Sequence, residues 1–496
     1  MLLFLLLLPI LTLCAPENEL VTNLPNLTEP LRSKHYTGYL NIADDKQIFY
    51  WYVESENDPT NDPIVLWLNG GPGCASMEGL FIEMGPFRVR DNGAAVDRNP
   101  WTWNRIANVI YMDAPAGVGL SYYNSSSMVF NDDQVASDNL KAVQLFFEKF
   151  PERKTNDFFA MGESYGGTYV PTLSSKIVQS GNLTNFKGML IGNGCLDDKL
   201  NYNSQILYEY FHGLIDESIF RGFLVKCCGN SLDCDFHALS LNETSECGQE
   251  ADDLSDGVFY TGIDPYFLYF ACYLDGSGTN QEFVRPQQYT RANGKRRNLD
   301  YMRHYIRSSS KPICASHYDH VPYLNTKEVR QAIRIPEYVQ EYSVCNIHIE
   351  ENYQQNYTTM TPFFLEVIKA NKKVALFNGD VDAVCNVAHN AQFLQKLGLK
   401  LKSAASPYKD PNQLPSTIGL VTEYEGVSLV TVRGGGHFPA ATFQKPKETF
   451  QVFQNFVKSQ NWSTPVTKDY TLISSAMLSV FNMPGLVICF VYHFLM

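Results

Sequence analysis

The chain carries the pentapeptide GESYG at residues 162–166, with Ser164 at its centre. An apolar run at 157–161 precedes it, and a helix-compatible stretch follows. In this context Gly-x-Ser-x-Gly is typical of a nucleophile elbow. The turn is so sharp that glycines flank the serine, whose hydroxyl projects at the N-terminus of a helix. The pentapeptide therefore predicts a hydrolase with a nucleophilic serine.

Such a serine needs a base, and the base needs an orienting acid, which in sheet-built hydrolases follow in the order Ser, Asp, His. The apolar run 374–377 opens into NGDVD, which holds Asp380 and Asp382, and the run 427–432 opens into RGGGH, which ends at His437. Both groups lie just past predicted strands, where open α/β sheets place their sites. We expect His437 to be the base, and the residues alone leave both aspartates open as the acid. The glycine run is not a phosphate cradle of the P-loop type, because the required lysine is missing.

A fourth motif, WLNGGPGC at residues 67–74, directly follows the strand-like run 64–68. Its glycines could offer backbone N–H groups to a developing oxyanion, and the second donor would be the N–H of Tyr165, the residue after the nucleophile. A tight turn without catalytic meaning is the alternative. The elbow elsewhere in the chain favours the oxyanion loop.

These motifs must be positioned by a sheet. Strand-like runs lie at 48–53, 64–68, 108–112, 158–161, 188–192, 374–377 and 427–432, and an amphipathic helix is predicted over about 135–150. Alternating strands and helices predict the α/β class, an α/β-hydrolase fold with a mostly parallel central sheet and helices on both faces. The alternation fades over 195–319, which we interpret as an inserted, disulfide-rich cap.

The composition and net charge restrict the classes of protein to which the chain can belong. The chain has 496 residues, 45% of them hydrophobic and 18% charged, which is typical of a globular protein with a large core. Its length predicts either more than one domain or one large domain carrying insertions. The formal net charge of −13 argues against nucleic acid as a partner. Residues 1–14 read as a signal peptide cleaved after Cys14. Six glycosylation sequons also favour the secretory route: Asn26, Asn124, Asn182, Asn242, Asn356 and Asn461.

We divide the mature chain into a first core part (15–194), the cap (195–319), a second core part (320–465) and a hydrophobic tail (466–496). The cap cysteines predict disulfides rather than zinc, because histidines and CxxC pairs at ligand spacing are missing there. The basic stretch 291–297 is either a solvated loop or, within 280–311, a proteolytic processing site. The tail is either a membrane span, a glycolipid-anchor signal or a soluble end.

Together the strings WLNGGPGCAS, GESYGG, NGDVDAVCN and GGGH resemble the serine carboxypeptidase family, in particular its cathepsin A and carboxypeptidase Y branch, over about 15–460. The resemblance implies the nucleophile Ser164, the acid Asp382, because it stands three residues before a cysteine, and the base His437. It implies oxyanion donors at Gly71 and Tyr165. The residues implied to bind a substrate carboxylate are Asn69, Glu163, Trp67 and Glu83.

Two glutamates facing a carboxylate repel it unless they share a proton, so Glu163 should be partly protonated and peptidase activity should be best at acidic pH.

The resemblance also implies disulfides Cys74–Cys345, Cys227–Cys247, Cys228–Cys234 and Cys272–Cys314. Cys385 is then expected to be a free thiol lining the pocket, with a plain buried cysteine as the alternative, and Cys195 has no assigned partner. The family usually has serine at the position of Ala75, and the segment after His437 departs from the usual form. Ala75 neighbours the oxyanion loop and need not affect the triad. The segment after His437 concerns the local shape and the substrate preference, but not His437 itself.

The implied activity is a serine-type carboxypeptidase that hydrolyses C-terminal peptide bonds through an acyl-enzyme, without metal or cofactor. Its partners would be peptides with a free C-terminus, and its location lysosomal or extracellular. Membrane attachment through the tail and a homodimer are left open. Two alternatives remain: acyl transfer on the same scaffold, and a protective scaffold for partner glycosidases.

Overall fold

The computed structural model describes residues 15–124, 128–257, 263–273, 313–314, 318–411 and 416–466. The predictions for the signal peptide, the basic stretch and the tail beyond Val466 lie outside the described residues.

The strands, in chain order, are β1 (His35–Ala43), β2 (Lys46–Val53), β3 (Ile64–Leu68), β4 (Phe87–Arg90), β5 (Ala95–Arg98), β6 (Asn108–Met112), β7 (Tyr122–Tyr123), β8 (Phe130–Asn131), β9 (Phe158–Ser164), β10 (Phe186–Gly194), β11 (Cys272–Tyr273), β12 (Ile313–Cys314), β13 (Tyr353–Gln354), β14 (Lys373–Gly379), β15 (Leu401–Lys409), β16 (Thr417–Tyr424) and β17 (Val427–Val432). All seven predicted strands are present.

The α-helices are α1 (Met77–Phe81), α2 (Asp132–Lys149), α3 (Gly166–Ser180), α4 (Asp198–Phe211), α5 (Glu217–Cys227), α6 (Phe236–Ser240), α7 (Glu246–Gly257), α8 (His320–Asn325), α9 (Lys327–Ala332), α10 (Ile347–Asn352), α11 (Thr361–Lys369), α12 (Val387–Lys396) and α13 (Pro446–Val457). The predicted amphipathic helix corresponds to α2, where Asn131 caps the first turn by accepting the N–H of Gln134.

One large sheet runs in the order β1-β2-β6-β3-β9-β10-β14-β17-β16-β15. Its six central strands, from β6 to β17, pair in parallel, and the strands outside them pair antiparallel. β3 and β6 are buried along their whole length, which explains their unbroken apolar sequences. This is the predicted mostly parallel α/β architecture, and it brings the ends of β3, β9, β14 and β17 to one edge.

Helices cover both faces of the sheet. Alternate strand side chains point to opposite sides, so Leu66 and Ile110 pack with α2, α3, α11 and α12 on one face. Trp67 and Tyr111 pack with α1, α8 and α13 on the other. The two apolar layers hold the strands rigidly, and the strand ends therefore form a fixed platform for the site.

Helices α4–α7 lie within the segment predicted to be the cap and share an apolar cluster that includes Ile206, Phe220, Phe236 and Leu254. A following segment, Asp264–Phe270, returns to the sheet. There Leu268 donates its N–H to the Val381 carbonyl at 3.1 Å. The exact division of the chain into core and cap stays a prediction.

All six sequon asparagines are exposed at the surface of the structure. None of the helices within the described ranges is both long enough and apolar enough to span a membrane.

Candidate active site

Ser164 is the last residue of β9 and precedes α3. Its backbone has φ 57°, a left-handed conformation that non-glycine residues rarely adopt. A Cβ added at Gly162 or Gly166 would lie 2.4 Å or 2.7 Å from the carbonyl oxygen of Leu68, so the turn fits against β3 only with glycine at both positions. The backbone conformation is that of the predicted nucleophile elbow.

His437 and Asp382 meet at the same edge of the sheet. The His437 Nδ1 lies 2.7 Å from the Asp382 Oδ2, and both side chains are fully buried. The backbone N–H of His437 donates to the Tyr266 carbonyl at 2.6 Å. Its Nε2 is buried and makes no hydrogen bond within the described part of the chain. With Nδ1 directed to a carboxylate, Nε2 is the nitrogen left to act as a base.

Asp382 is held by a ring of donors. The Asn193 side-chain amide donates to Oδ2 at 2.9 Å, and the N–H of Cys385 does so at 3.2 Å. The N–H of Val384 donates to Oδ1 at 2.9 Å. These bonds fix the carboxylate opposite the imidazole before any substrate binds.

Asp380 makes a different contact. Its Oδ1 accepts the backbone N–H of Gly434 at 2.6 Å, which ties the β14 loop to the glycine run before His437. Only Asp382 contacts the imidazole. This contact favours Asp382 over Asp380 as the acid, a role that stays a prediction.

The loop after β3 lies directly on the elbow. A Cβ added at Gly70 would lie 2.4 Å from the Tyr165 nitrogen and 2.8 Å from the Ser164 Cβ. Gly71 has φ 113°, which also requires glycine. The backbone of this loop is therefore next to the N–H of Tyr165, as a two-donor oxyanion site requires.

The four residues implied to bind a carboxylate form one buried cluster. The Asn69 Nδ2 donates to Glu163 Oε1 at 2.7 Å and to Glu83 Oε1 at 2.9 Å. The Trp67 Nε1 donates to the Asn69 Oδ1 at 2.8 Å and so fixes which end of the amide faces the glutamates. Glu83 is 2% exposed and Glu163 is 1% exposed.

Burial and mutual repulsion dominate the electrostatics of this pair. Burial raises the pKa of Glu83 to about 7, with the Asn69 and Glu163 hydrogen bonds opposing the shift. Burial, then the nearby charge of Glu83, raise the pKa of Glu163 well above its usual range. The pair therefore retains a proton in weakly acidic solution.

The cysteines require one correction. The structure contains the Cys74–Cys345, Cys227–Cys247 and Cys228–Cys234 bonds that the resemblance implies. Cys272 is also disulfide-bonded. In the antiparallel β11–β12 ladder, the backbone of Cys272 pairs with that of Cys314.

Cys385, expected to be a free thiol, is instead bonded to Cys195. The physical reason lies in the sheet. Cys195 directly follows β10 and Cys385 lies in the loop after the adjacent β14, so the two side chains meet although 190 residues separate them. Sequence reasoning left Cys195 unpaired because it did not consider which strands are neighbours.

Two further contributors to the site were missed. Asn193, at the end of β10, holds Asp382, and Tyr266 holds His437 by its carbonyl and packs its ring edge-on against the imidazole at 5.1 Å. Asn193 could have been found from its place at the end of a predicted strand beside the acid loop. Tyr266 lies in no recognisable sequence motif.

Across the described residues, we find no cluster of His, Cys, Asp and Glu side chains arranged to hold a metal ion.

The fold and this arrangement of side chains are those of a serine hydrolase of the α/β-hydrolase class. The family model described as serine carboxypeptidase matches residues 25–459. The chain belongs to the serine carboxypeptidase family, and its enzyme class is accordingly that of a serine-type peptidase.

Similar proteins agree with this assignment. The chain is 36% identical to serine carboxypeptidase ctsa-4.1 of Caenorhabditis elegans, over 92% of this chain and 96% of the relative. It is 35% identical to the lysosomal protective protein of Mus musculus, over 90% and 95%. The crystal structure of Kex1(delta)p, a prohormone-processing carboxypeptidase from Saccharomyces cerevisiae, has the same fold, with a TM-score of 0.67 and 18% identity over 89% of this chain and 96% of that one.

Proposed function

We propose that this chain removes single residues from the free C-termini of peptides, with Ser164, His437 and Asp382 as the triad. The Ser164 hydroxyl attacks the last peptide carbonyl while His437 Nε2 takes its proton. The N–H groups of Gly71 and Tyr165 hold the oxyanion. His437 then returns the proton to the leaving amine, and the C–N bond breaks to give an acyl-enzyme. Water, deprotonated by His437, hydrolyses that ester.

The observation that carries the exopeptidase assignment is the Glu83–Asn69–Glu163 cluster. Glu163 immediately precedes the nucleophile, so a substrate group that binds it lies close to Ser164. Both N–H groups of the Asn69 amide hold the glutamates in place, and a protonated glutamate is a hydrogen-bond donor that suits a substrate carboxylate. An endopeptidase has no use for a buried proton donor at this position.

The raised pKa values set the direction of the pH dependence. Below the pKa of the pair, a proton is present and the substrate carboxylate is bound. As pH rises through about 7 and above, the pair ionises and repels the carboxylate. Peptidase activity is therefore expected to be best in acid and to fall toward alkaline pH.

A location in the secretory or lysosomal route is supported by the similarity to the lysosomal protective protein and by the exposed sequons. Disulfides are characteristic of oxidising compartments. Asn26, Asn124, Asn182, Asn242, Asn356 and Asn461 are the proposed glycan sites.

The test compares two blocked dipeptides that differ only at the C-terminus, one a free acid and one an amide, at acidic pH. We expect release of the last residue from the free acid, loss of about 10⁶-fold in kcat for Ser164→Ala, and labelling of Ser164 by a fluorophosphonate. Equal cleavage of acid and amide would contradict the proposal. Labelling without any peptide cleavage would leave a serine hydrolase of another specificity.

A further inference from the structure

Asp132 begins helix α2 and its carboxylate is 1% exposed. Oδ1 accepts the hydroxyls of Tyr165 at 2.9 Å and Tyr353 at 3.0 Å. Oδ2 accepts the backbone N–H groups of Asn356 at 2.7 Å and Tyr357 at 3.2 Å. This buried side chain thus joins three separate segments of the chain at one point.

Capping the helix does not account for this placement. The cap of α2 is Asn131, whose side chain accepts the N–H of Gln134 at 2.9 Å. The Asp132 carboxylate turns away from that turn and toward the elbow. Since its four donors come from outside α2, its contacts serve the site rather than the helix.

One of the four donors belongs to the residue whose N–H is the proposed oxyanion donor. The Tyr165 ring packs edge-on against Tyr169 at 5.3 Å and Tyr353 at 5.4 Å. The Tyr169 hydroxyl in turn accepts the N–H of Gly73, in the loop that carries the other proposed donor, at 3.3 Å. The elbow and the oxyanion loop are therefore both tied to the same three-tyrosine cluster, formed by Tyr165, Tyr169 and Tyr353.

We propose that Asp132 is a positioning residue for the oxyanion site. Its hydrogen bond to the Tyr165 hydroxyl fixes the orientation of the peptide unit at the elbow. The Tyr165 N–H therefore points toward the negative charge that develops in the transition state. The inference rests on the proposed function. It concerns stabilisation of the transition state, so it should act on kcat and not on binding of the substrate carboxylate.

The decisive variant is Tyr165→Phe, which keeps the ring and removes only the hydroxyl that reaches Asp132. We expect kcat to fall about 10- to 100-fold with KM changed less than about twofold, because a small misplacement of a catalytic donor has this size of effect. A peptide aldehyde, whose carbonyl adds the Ser164 oxygen to give a tetrahedral oxyanion, should lose affinity by the same factor.

Asp132→Ala removes all four hydrogen bonds and should produce losses at least as large. The Asp132→Ala, Tyr165→Phe double variant should cost no more than Asp132→Ala alone, because both variants break the same Asp132–Tyr165 link. Asp133→Asn is the matched control: this neighbouring exposed carboxylate contacts the Tyr357 hydroxyl and should leave both quantities unchanged. If Asp132→Ala does not fold, Tyr165→Phe alone decides.

Unchanged kcat and aldehyde affinity in Tyr165→Phe, or fully additive losses in the double variant, would overturn the positioning role. Failure of the positioning role of Asp132 can be distinguished from failure of the proposed carboxypeptidase function. A wild-type chain that binds the aldehyde but cleaves no free-acid peptide contradicts the carboxypeptidase assignment, while the aldehyde series still tests Asp132.

Discussion

Two buried carboxyl sites contribute to the candidate active site, and their hydrogen-bond environments are opposite. Asp382 meets four donors, from Asn193, Val384, Cys385 and His437. Glu83 and Glu163 share the amide of Asn69, and the Glu83 Oε2 has no hydrogen-bond partner among the residues described. Both sites are excluded from water, so the difference lies in the number of donors.

That difference assigns two kinds of chemistry. A carboxylate surrounded by donors is suited to hold negative charge beside an imidazolium. A pair of carboxyls with few donors retains a proton, because two charges at close range in a buried place are costly. In the proposed function, one site serves bond cleavage for any acyl substrate, and the other selects a free C-terminus. Variants of each should separate the two functions.

Among the variants that compare the two carboxyl sites, the largest effect is expected from Asp382→Asn. An amide cannot hold the His437 Nδ1–H tautomer, so kcat should fall about 10⁴-fold on ester and peptide substrates alike. Asp380→Asn is the neighbouring comparison and should cost much less, because Asp380 contacts the Gly434 N–H and not the imidazole. Equal losses in steady-state kcat for the two variants would contradict the assignment of roles.

The next largest effect is expected from removing the Cys195–Cys385 disulfide. Cys195 donates its N–H to the Ser164 carbonyl at 3.0 Å, and Cys385 donates to Asp382, so their disulfide connects the nucleophile strand to the acid loop. Cys195→Ala should lower the free energy of unfolding by about 2–5 kcal/mol, measured in denaturant.

Alkylation under denaturing, non-reducing conditions followed by mass spectrometry provides the control. The Cys385 peptide should be alkylated in Cys195→Ala and unmodified in the wild-type chain. A wild-type chain with an alkylated Cys385 would show that the thiol is free.

A smaller effect on stability is expected from Glu83→Gln. The fold raises the pKa of Glu83 to about 7, so it favours the protonated carboxyl. That stability is fully present below the unfolded value near 4.5 and is lost as pH rises through about 7. Glutamine keeps the neutral form, so the variant should gain on the order of 1–3 kcal/mol at pH 7.5 and nothing at pH 4.5.

The exposed Glu337→Gln serves as the control and should show no pH-dependent difference in thermal unfolding. A Glu83→Gln variant that is equally stabilised, or destabilised, at both pH values would mean that the fold does not raise the pKa of Glu83.

Much of the site could be predicted because its residues are tied to strand ends. Ser164, Asp382 and His437 each follow an apolar run, and parallel strands bring such ends to one edge. Glu83 is different: it lies in the turn after α1, and only the resemblance indicated that it would meet Glu163. Local pattern carries no information on that contact.

What could not be predicted depends on which elements are neighbours. The Cys195–Cys385 bond requires β10 to lie beside β14, and the Tyr266 contact requires the segment after the cap to return to the sheet. Asp132 reads from the sequence as an ordinary acidic residue in the first turn of a helix. Only the structure brings it to Tyr165.

The central claim is that a shared proton on the Glu83–Glu163 pair makes this hydrolase a carboxypeptidase. The most direct test is the pH dependence of kcat/KM for Glu163→Gln and wild type, measured on a free-acid peptide and on its ester. In the wild type, activity on the free acid should fall about tenfold per pH unit above the pKa of the pair. In Glu163→Gln that fall should move to higher pH, with ester hydrolysis largely unchanged in both. Identical pH profiles for the two enzymes on the free acid would contradict the account.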